Sequence, residues 1–369
     1  MSYFKVITYT NWLKGFGIFV CFFLIIVSFL NYFIDSVGIF HMNKSLVFAA
    51  QALIRGQIVA GFRNIDERQF QQLIIENDKR KINTIVLGSS RSLEIRERSI
   101  KNIFKSENDI NFFNHSVSGA SIEDYIAIVG LYKKVRGYIP KRIIIGLDPW
   151  VFNKNSGQNR WKSIEKFYNM LIEEIYDKKL ESPKTLSLHK TKYAQLINWD
   201  YTIANIESLF VPSKRNRFHI VNSIDIDESL RAPDGSNYYP YKIRYKSDDI
   251  VQREAKNYTN PPVYSLENFF ELTNIKIFED FIQFLKKHNV EVILFLPPYH
   301  PLSYEILINK NEYKIIEEVE KYLKNYAANH NIKLLGSYNP KTYNLQSIHF
   351  YDGMHWRDTA AKILFEAKP

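Results

Sequence analysis

Five short apolar runs recur along the chain: INTIVLG (residues 82–88), INFFN (110–114), RIIIGLD (142–148), VEVILFL (290–296) and IKLLG (332–336). Aliphatic runs of this length, most of them bounded by Gly, Pro or Asn, predict strands. Their apolar character is nearly continuous rather than alternating, which predicts strands buried on both faces. Between them, residues 121–136, 265–288 and 313–330 carry apolar positions at helical spacing, and the first opens with Ser-x-x-Asp, an acidic variant of a capping box. Strands alternating with helices in this way predict an α/β fold: a central, mostly parallel five-stranded sheet with helices on both faces.

Two stretches depart from the alternation. Residues 15–34, GFGIFVCFFLIIVSFLNYFI, form an uncharged run of 20 residues between Lys14 and Asp35. That is long enough to cross a bilayer as one helix. A cleavable signal would be shorter and would end on small residues, whereas this run ends in Leu30, Asn31, Tyr32 and Phe33, so it is read as a retained transmembrane anchor. Residues 151–264 carry no strand of the five-stranded sheet and include two helix-like stretches, and are read as a large, mainly helical subdomain inserted after the third strand. The predicted organisation is therefore an amino-terminal tail and anchor over 1–36 and a juxtamembrane connector and helix over 37–80. The α/β domain then occupies 81–150 and 265–369, interrupted by the insertion over 151–264.

The formal net charge of +10 allows attraction to anionic lipid or glycan. The basic residues are scattered and match no nucleic-acid-binding module, so nucleic acid is not an expected partner. Cys21 is the only cysteine and lies inside the apolar run, which suits an oxidising compartment and precludes an intrachain disulfide. Lys5 and Lys14 before the run roughly balance Lys44 and Arg55 after it, so these charges do not orient the span. The short tail and large following domain lead to the expectation of a single-pass membrane protein with the bulk of its chain outside the cytoplasm. The histidines show no zinc-ligand spacing, and neither a metal nor a cofactor is expected.

Four polar stretches fall at the carboxyl ends of predicted strands or beyond the last one: GSSRS (88–92), NHSVSG (114–119), GLDPW (146–150) and YDGMHW (351–356). A Gly-Ser-Ser stop also suits a simple helix cap. In this order, however, the four stretches resemble the SGNH, or GDSL-like, esterase and acyltransferase superfamily over residues 82–148 and 290–362. The resemblance implies a three-layer, flavodoxin-like fold. It implies Ser90 as nucleophile, His355 as general base and Asp352 as the carboxylate that orients it. It also implies backbone N–H groups of Ser90 and Gly119 as oxyanion donors. At the third block the family carries Gly-x-Asn-Asp, whose Asn donates to the oxyanion, whereas this chain has Asp148. Either Asp148 is protonated, or it points elsewhere, or hydrolysis is inefficient. Similar departures mark the membrane-anchored branch that resembles alginate and peptidoglycan O-acetylation proteins and the D-alanyl transfer protein of teichoic acid synthesis.

Three further residues are candidates for substrate binding. Arg91 follows the nucleophile and either meets an acidic substrate or pairs with a carboxylate; Tyr299 and His300 end the fourth strand. The function expected from the resemblance is O-acetylation of a cell-surface or exported polysaccharide through a Ser90 acyl-enzyme. A multispanning membrane acyltransferase would supply the acyl group. The alternatives are an esterase that deacetylates the same polymers and a non-catalytic glycan-binding or assembly protein.

Overall fold

The computed structural model describes residues 9–36, 40, 44–62, 65–101, 103–104, 110–179, 193–210 and 218–366. The chain divides into two compact units, Met1–Val47 with Leu180–Arg217, and Phe48–Lys179 with Phe218–Pro369. The described strands are β1 (Ile58–Ala60), β2 (Thr84–Leu87), β3 (Phe112–Asn114), β4 (Arg142–Gly146), β5 (His219–Val221), β6 (Leu230–Arg231), β7 (Asn237–Tyr238), β8 (Glu291–Leu296) and β9 (Lys333–Gly336).

In the larger unit the five predicted strands form one sheet in the order β3-β2-β4-β8-β9, and every pair is parallel. All of β2 is buried, as is β4 after Arg142, which is why these runs show no alternation in the sequence. Val86, Ile144, Ile293, Phe295 and Leu335 join Trp356, Leu364 and Phe365 in one buried cluster. Full burial of such a side chain contributes about 1.5–3 kcal/mol. Strands are added outward from β2 in both directions, so the connections after β2 and β4 leave the sheet on opposite sides. The carboxyl ends of these two strands open the crevice where α/β proteins hold ligands.

The helix after β3, Ile122–Leu131, starts at a capping box in which the Ser121 N–H donates to Asp124 Oδ2 at 2.9 Å. The helix expected from residue 265 begins only at Ile275, because Ser265, Asn268 and Asn274 adopt φ of 57°, 52° and 58°, a left-handed geometry that interrupts a helix.

The stretch 151–264 is not one mainly helical subdomain. Residues 180–217 group with the amino-terminal unit and the rest with the α/β unit. It also supplies β5 and β6, which pair antiparallel with β1 of the connector, and β7, which pairs antiparallel with β6, in a second sheet of order β5-β1-β6-β7. Strands of two or three residues are too short for periodicity to reveal.

The smaller unit is built on the helix Tyr9–Ile34, which is long and apolar enough to cross a membrane. Its outward surface is almost wholly apolar, with Phe16, Ile18, Phe19, Phe22 and Ile25 exposed.

Candidate active site

Strand β2 runs into Gly88 at its carboxyl end, and the chain then makes a single 3-10 turn over Ser90–Ser92. Glycine is required here, because a Cβ at either Gly88 or Gly146 of the neighbouring strand would collide with the Ser92 side chain. The two serines have different tasks. Ser89 is buried, and its Oγ accepts from the Arg91 N–H at 3.1 Å as the cap of the turn. Ser90, first in the turn, is only half-buried, and its Oγ lies 2.9 Å from His355 Nε2.

His355 comes from the loop before the last helix, Asp358–Glu366. Asp352 shapes that loop: its Oδ1 accepts from the N–H groups of Met354 at 2.8 Å and His355 at 2.9 Å. Its Oδ2 lies 2.9 Å from His355 Nδ1. Burial opposes the charge on Asp352, but the His355 ring and the two backbone donors hold its carboxyl well below the usual carboxylate range. An ionised carboxylate can only accept, so it keeps the proton on Nδ1 and leaves the Nε2 lone pair facing the Ser90 hydroxyl. Trp356 Nε1 donates to the Arg91 carbonyl at 2.7 Å, tying the loop that carries His355 to the serine turn. The side chains named from two sequence blocks thus form one hydrogen-bonded chain, Ser90–His355–Asp352.

Gly119 lies in the turn after β3, the sheet neighbour of β2, and the Val117 N–H donates to the Gly88 carbonyl at 2.9 Å. Its φ is 55°, and a Cβ would lie 2.5 Å from Tyr264 Oη. The turn is held by a residue the sequence reading passed over. Arg68 donates to the carbonyls of Ser118 at 3.0 Å and Gly119 at 3.3 Å, and its guanidinium pairs with buried Asp124 at 2.8 Å.

Asp148 does not serve as an oxyanion donor. It is fully buried, and its Oδ1 accepts from Arg91 Nη1 at 2.9 Å. Burial pushes its carboxyl up while the Arg91 charge opposes that shift. Arg91 is likewise unavailable to substrate, since its Nε donates to the Met354 carbonyl at 3.0 Å and its Nη2 to the Pro297 carbonyl at 2.6 Å. Tyr299 is not a cleft residue but a buried ring beneath the Arg91 guanidinium, 4.0 Å from its centroid. His300 caps the helix Pro301–Ile308 by accepting from the Leu302 N–H at 3.1 Å, and its Nε2 bonds Ser347 Oγ at 2.8 Å. Burial lowers its pKa to about 4, so the ring is neutral near pH 7 and structural. The polar atoms of Arg91 and His300 meet protein groups and the Tyr299 ring is sealed beneath Arg91, which is why none of the three is free to bind a ligand.

The residue that does flank His355 is Tyr239, just past β7, whose ring centroid is 5.7 Å from that of His355 and 4.9 Å from that of Tyr351. No motif marks it in the sequence. Among the described residues no group of three or more His, Cys, Asp or Glu could hold a metal ion.

The fold and this side-chain chain define an α/β protein with a Ser-His-Asp arrangement at the carboxyl edge of a parallel sheet. Residues 18–359 match the family described as Protein of unknown function (DUF1574), and the chain belongs to that family. The matched region runs from within the apolar helix through Ser90, Asp352 and His355. No curated protein matches the chain.

Proposed function

We propose that the chain is a membrane-anchored serine acyltransferase or esterase of the SGNH type, acting on a cell-surface or exported polysaccharide outside the cytoplasm. The observation that carries this reading is the continuous Ser90–His355–Asp352 hydrogen-bond chain, with Ser90 Oγ 2.9 Å from His355 Nε2. The sheet order β3-β2-β4-β8-β9, which reads 2-1-3-4-5 within that sheet, supports a flavodoxin-like architecture. The apolar helix supports a membrane anchor, and the absence of cysteine elsewhere in the chain suits an oxidising compartment.

In this mechanism Ser90 Oγ attacks the acyl carbonyl carbon as its proton passes to His355 Nε2, and Asp352 stabilises the imidazolium. Backbone N–H groups of Ser90 and Gly119 would receive the developing oxyanion. Collapse of the tetrahedral intermediate expels the donor's leaving group, which takes the proton from His355, and leaves an ester on Ser90. A sugar hydroxyl then gives its proton to His355 and attacks that ester. Collapse of the second intermediate releases the acylated sugar and returns the proton to Ser90. By resemblance the acyl group is acetyl and a multispanning membrane acyltransferase delivers it. With Asp148 engaged by Arg91, the oxyanion lacks the third donor of the hydrolytic family and is left to backbone donors, which slows attack by water and by a sugar hydroxyl alike.

A fluorophosphonate probe tests the reading. Wild-type protein should be labelled on Ser90, the label should vanish in Ser90→Ala, and labelling should slow about 10²- to 10⁴-fold in His355→Ala. No labelling of wild type, together with unimpaired glycan acylation in cells carrying Ser90→Ala, would leave the non-catalytic assembly role standing instead.

A further inference from the structure

The carboxyl-terminal turn of the Tyr9–Ile34 helix packs against a second helix, Trp199–Phe210, in the same compact unit. Their contact is polar. Asn31 Nδ2 donates to Thr202 Oγ1 and to the Leu196 carbonyl, each at 2.8 Å, and Asn205 Nδ2 donates to Asn31 Oδ1 at 2.9 Å. The Ser36 N–H donates to Asn205 Oδ1 at 2.8 Å, and Tyr201 Oη donates to Asp35 Oδ1 at 2.5 Å. Asn31 and Asn205 are both completely buried.

A surface helix in water buries its apolar stripe and exposes its polar one. The Trp199–Phe210 helix does the reverse. At about 100° per residue, Tyr201, Thr202, Asn205 and Ser208 share the buried side. Trp199, Ile203, Ile206 and Phe210 line the opposite side and are 65%, 40%, 39% and 79% exposed. Asp200 and Glu207 fall together along one edge of that apolar stripe, and both are exposed.

The level of this contact along the first helix matters. Asn31 is three residues from the end of the uncharged run, about 5 Å along the helix axis. Helices that lie in a bilayer interface insert their apolar face about 5–10 Å into the headgroup and acyl boundary. The first helix's own outward side chains near this level, Phe29 and Phe33, are also strongly exposed. Polar side chains bonded between helices, with apolar ones outside, are the arrangement expected where the surrounding medium is lipid.

We propose that Trp199–Phe210 is a second membrane element, lying in the plane of the bilayer interface against the end of the amino-terminal helix. Trp199, Ile203, Ile206 and Phe210 contact lipid acyl chains, and Asp200 and Glu207 line the headgroup edge. The chain thus enters the membrane layer twice, once as a span and once as an interfacial helix. The inference depends on the first helix being membrane-embedded and is independent of the chemistry at Ser90.

Site-directed spin labelling of the full chain tests it. In a Cys21→Ser background, single substitutions Ile203→Cys, Ile206→Cys, Phe210→Cys and Asp200→Cys are labelled with a nitroxide. The protein is then reconstituted into vesicles of phosphatidylethanolamine and phosphatidylglycerol, and collisions with oxygen and with a water-soluble nickel chelate are compared. Oxygen should dominate at 203, 206 and 210 and the nickel chelate at 200. Dominance of the nickel chelate at 206 and 210 would overturn the proposal in favour of a water-facing helix. Shielding of those labels from both reagents would overturn it in favour of a protein partner or a second copy of the chain. The four positions are read independently, so failure of one variant to fold leaves the others decisive.

Discussion

Replacing Asp148 by Asn separates two accounts of the third block. From sequence alone the change restores the oxyanion donor of the hydrolytic family. From the structure it removes the charge that pairs with buried Arg91. At a separation of 2.9 Å and an effective dielectric of about 20, the pair attracts by about 6 kcal/mol before desolvation is counted. Removing one partner of such a pair costs about 3–5 kcal/mol, because the other charge stays buried and unmatched. The amide that replaces the carboxylate would still offer an acceptor to Arg91 Nη1, so Asp148→Asn should fall at the lower end, about 3 kcal/mol. Arg91→Met also strips donors from the Met354 and Pro297 carbonyls and should fall at the upper end. The double variant Arg91→Met with Asp148→Leu should be no less stable than Arg91→Met alone, since the charge left behind has gone too. Thermal unfolding of the full chain in detergent, read beside the rate of Ser90 labelling, measures both sides of the question. A stable Asp148→Asn protein that hydrolyses a simple acetyl ester faster than wild type would refute the pairing argument and turn Asp148 toward the oxyanion.

Three further outcomes follow from the same geometry. Ser89→Ala should lose about 1 kcal/mol through the missing cap yet keep probe labelling at Ser90; loss of the label with the fold intact would mean that Ser89 carries the nucleophile. Gly119→Ala, at φ 55° with Tyr264 Oη 2.5 Å from the new Cβ, should be destabilised by at least about 1 kcal/mol and should be labelled more slowly; unchanged labelling would remove Gly119 from the oxyanion site. Burial lowers the pKa of His115 from 6.5 to about 3, so the unfolded chain binds more protons in that window, and stability should fall as pH drops from about 6.5 toward 3, by about 4–5 kcal/mol. In denaturant titrations the advantage of wild type over His115→Gln should shrink accordingly, and a pH-independent difference would contradict a neutral buried ring.

The five strands of the parallel sheet were legible because burial on both faces makes each an unbroken apolar run. What was not legible depended on distant partners. Ile58–Ala60 becomes a strand only because His219–Val221 and Leu230–Arg231 arrive beside it, and no periodicity within three residues announces that pairing. The late start of the Ile275–Lys287 helix had a local signal that apolar spacing overrode: Asn268 and Asn274 are residue types that tolerate left-handed backbone. The reversed amphipathicity of Trp199–Phe210 was hidden for another reason. Apolar spacing identifies a helix but does not say which side of it meets solvent.

The site divides along a similar line. Asp352 and His355 lie three residues apart, so one turn can join carboxylate to imidazole, and Gly88-Ser89-Ser90 marks a strand end; both are local facts. Arg91, Tyr299 and His300 stand on the same carboxyl edge and are of types that bind substrates, yet residue type and edge position say nothing about where a side chain points. Strands of a parallel sheet end there, and the loops beyond them leave carbonyls without ladder partners. An arginine carries five donors in a rigid fork and can answer several such carbonyls at once. Arg91 meets Met354 and Pro297 in this way while Asp148 balances its charge. It joins the serine turn, the loop that carries His355 and the ends of two strands. The presence of Asp148 where the SGNH pattern carries Asn is then explained by Arg91: a buried guanidinium requires a carboxylate, and the proposed mechanism leaves the oxyanion to backbone donors.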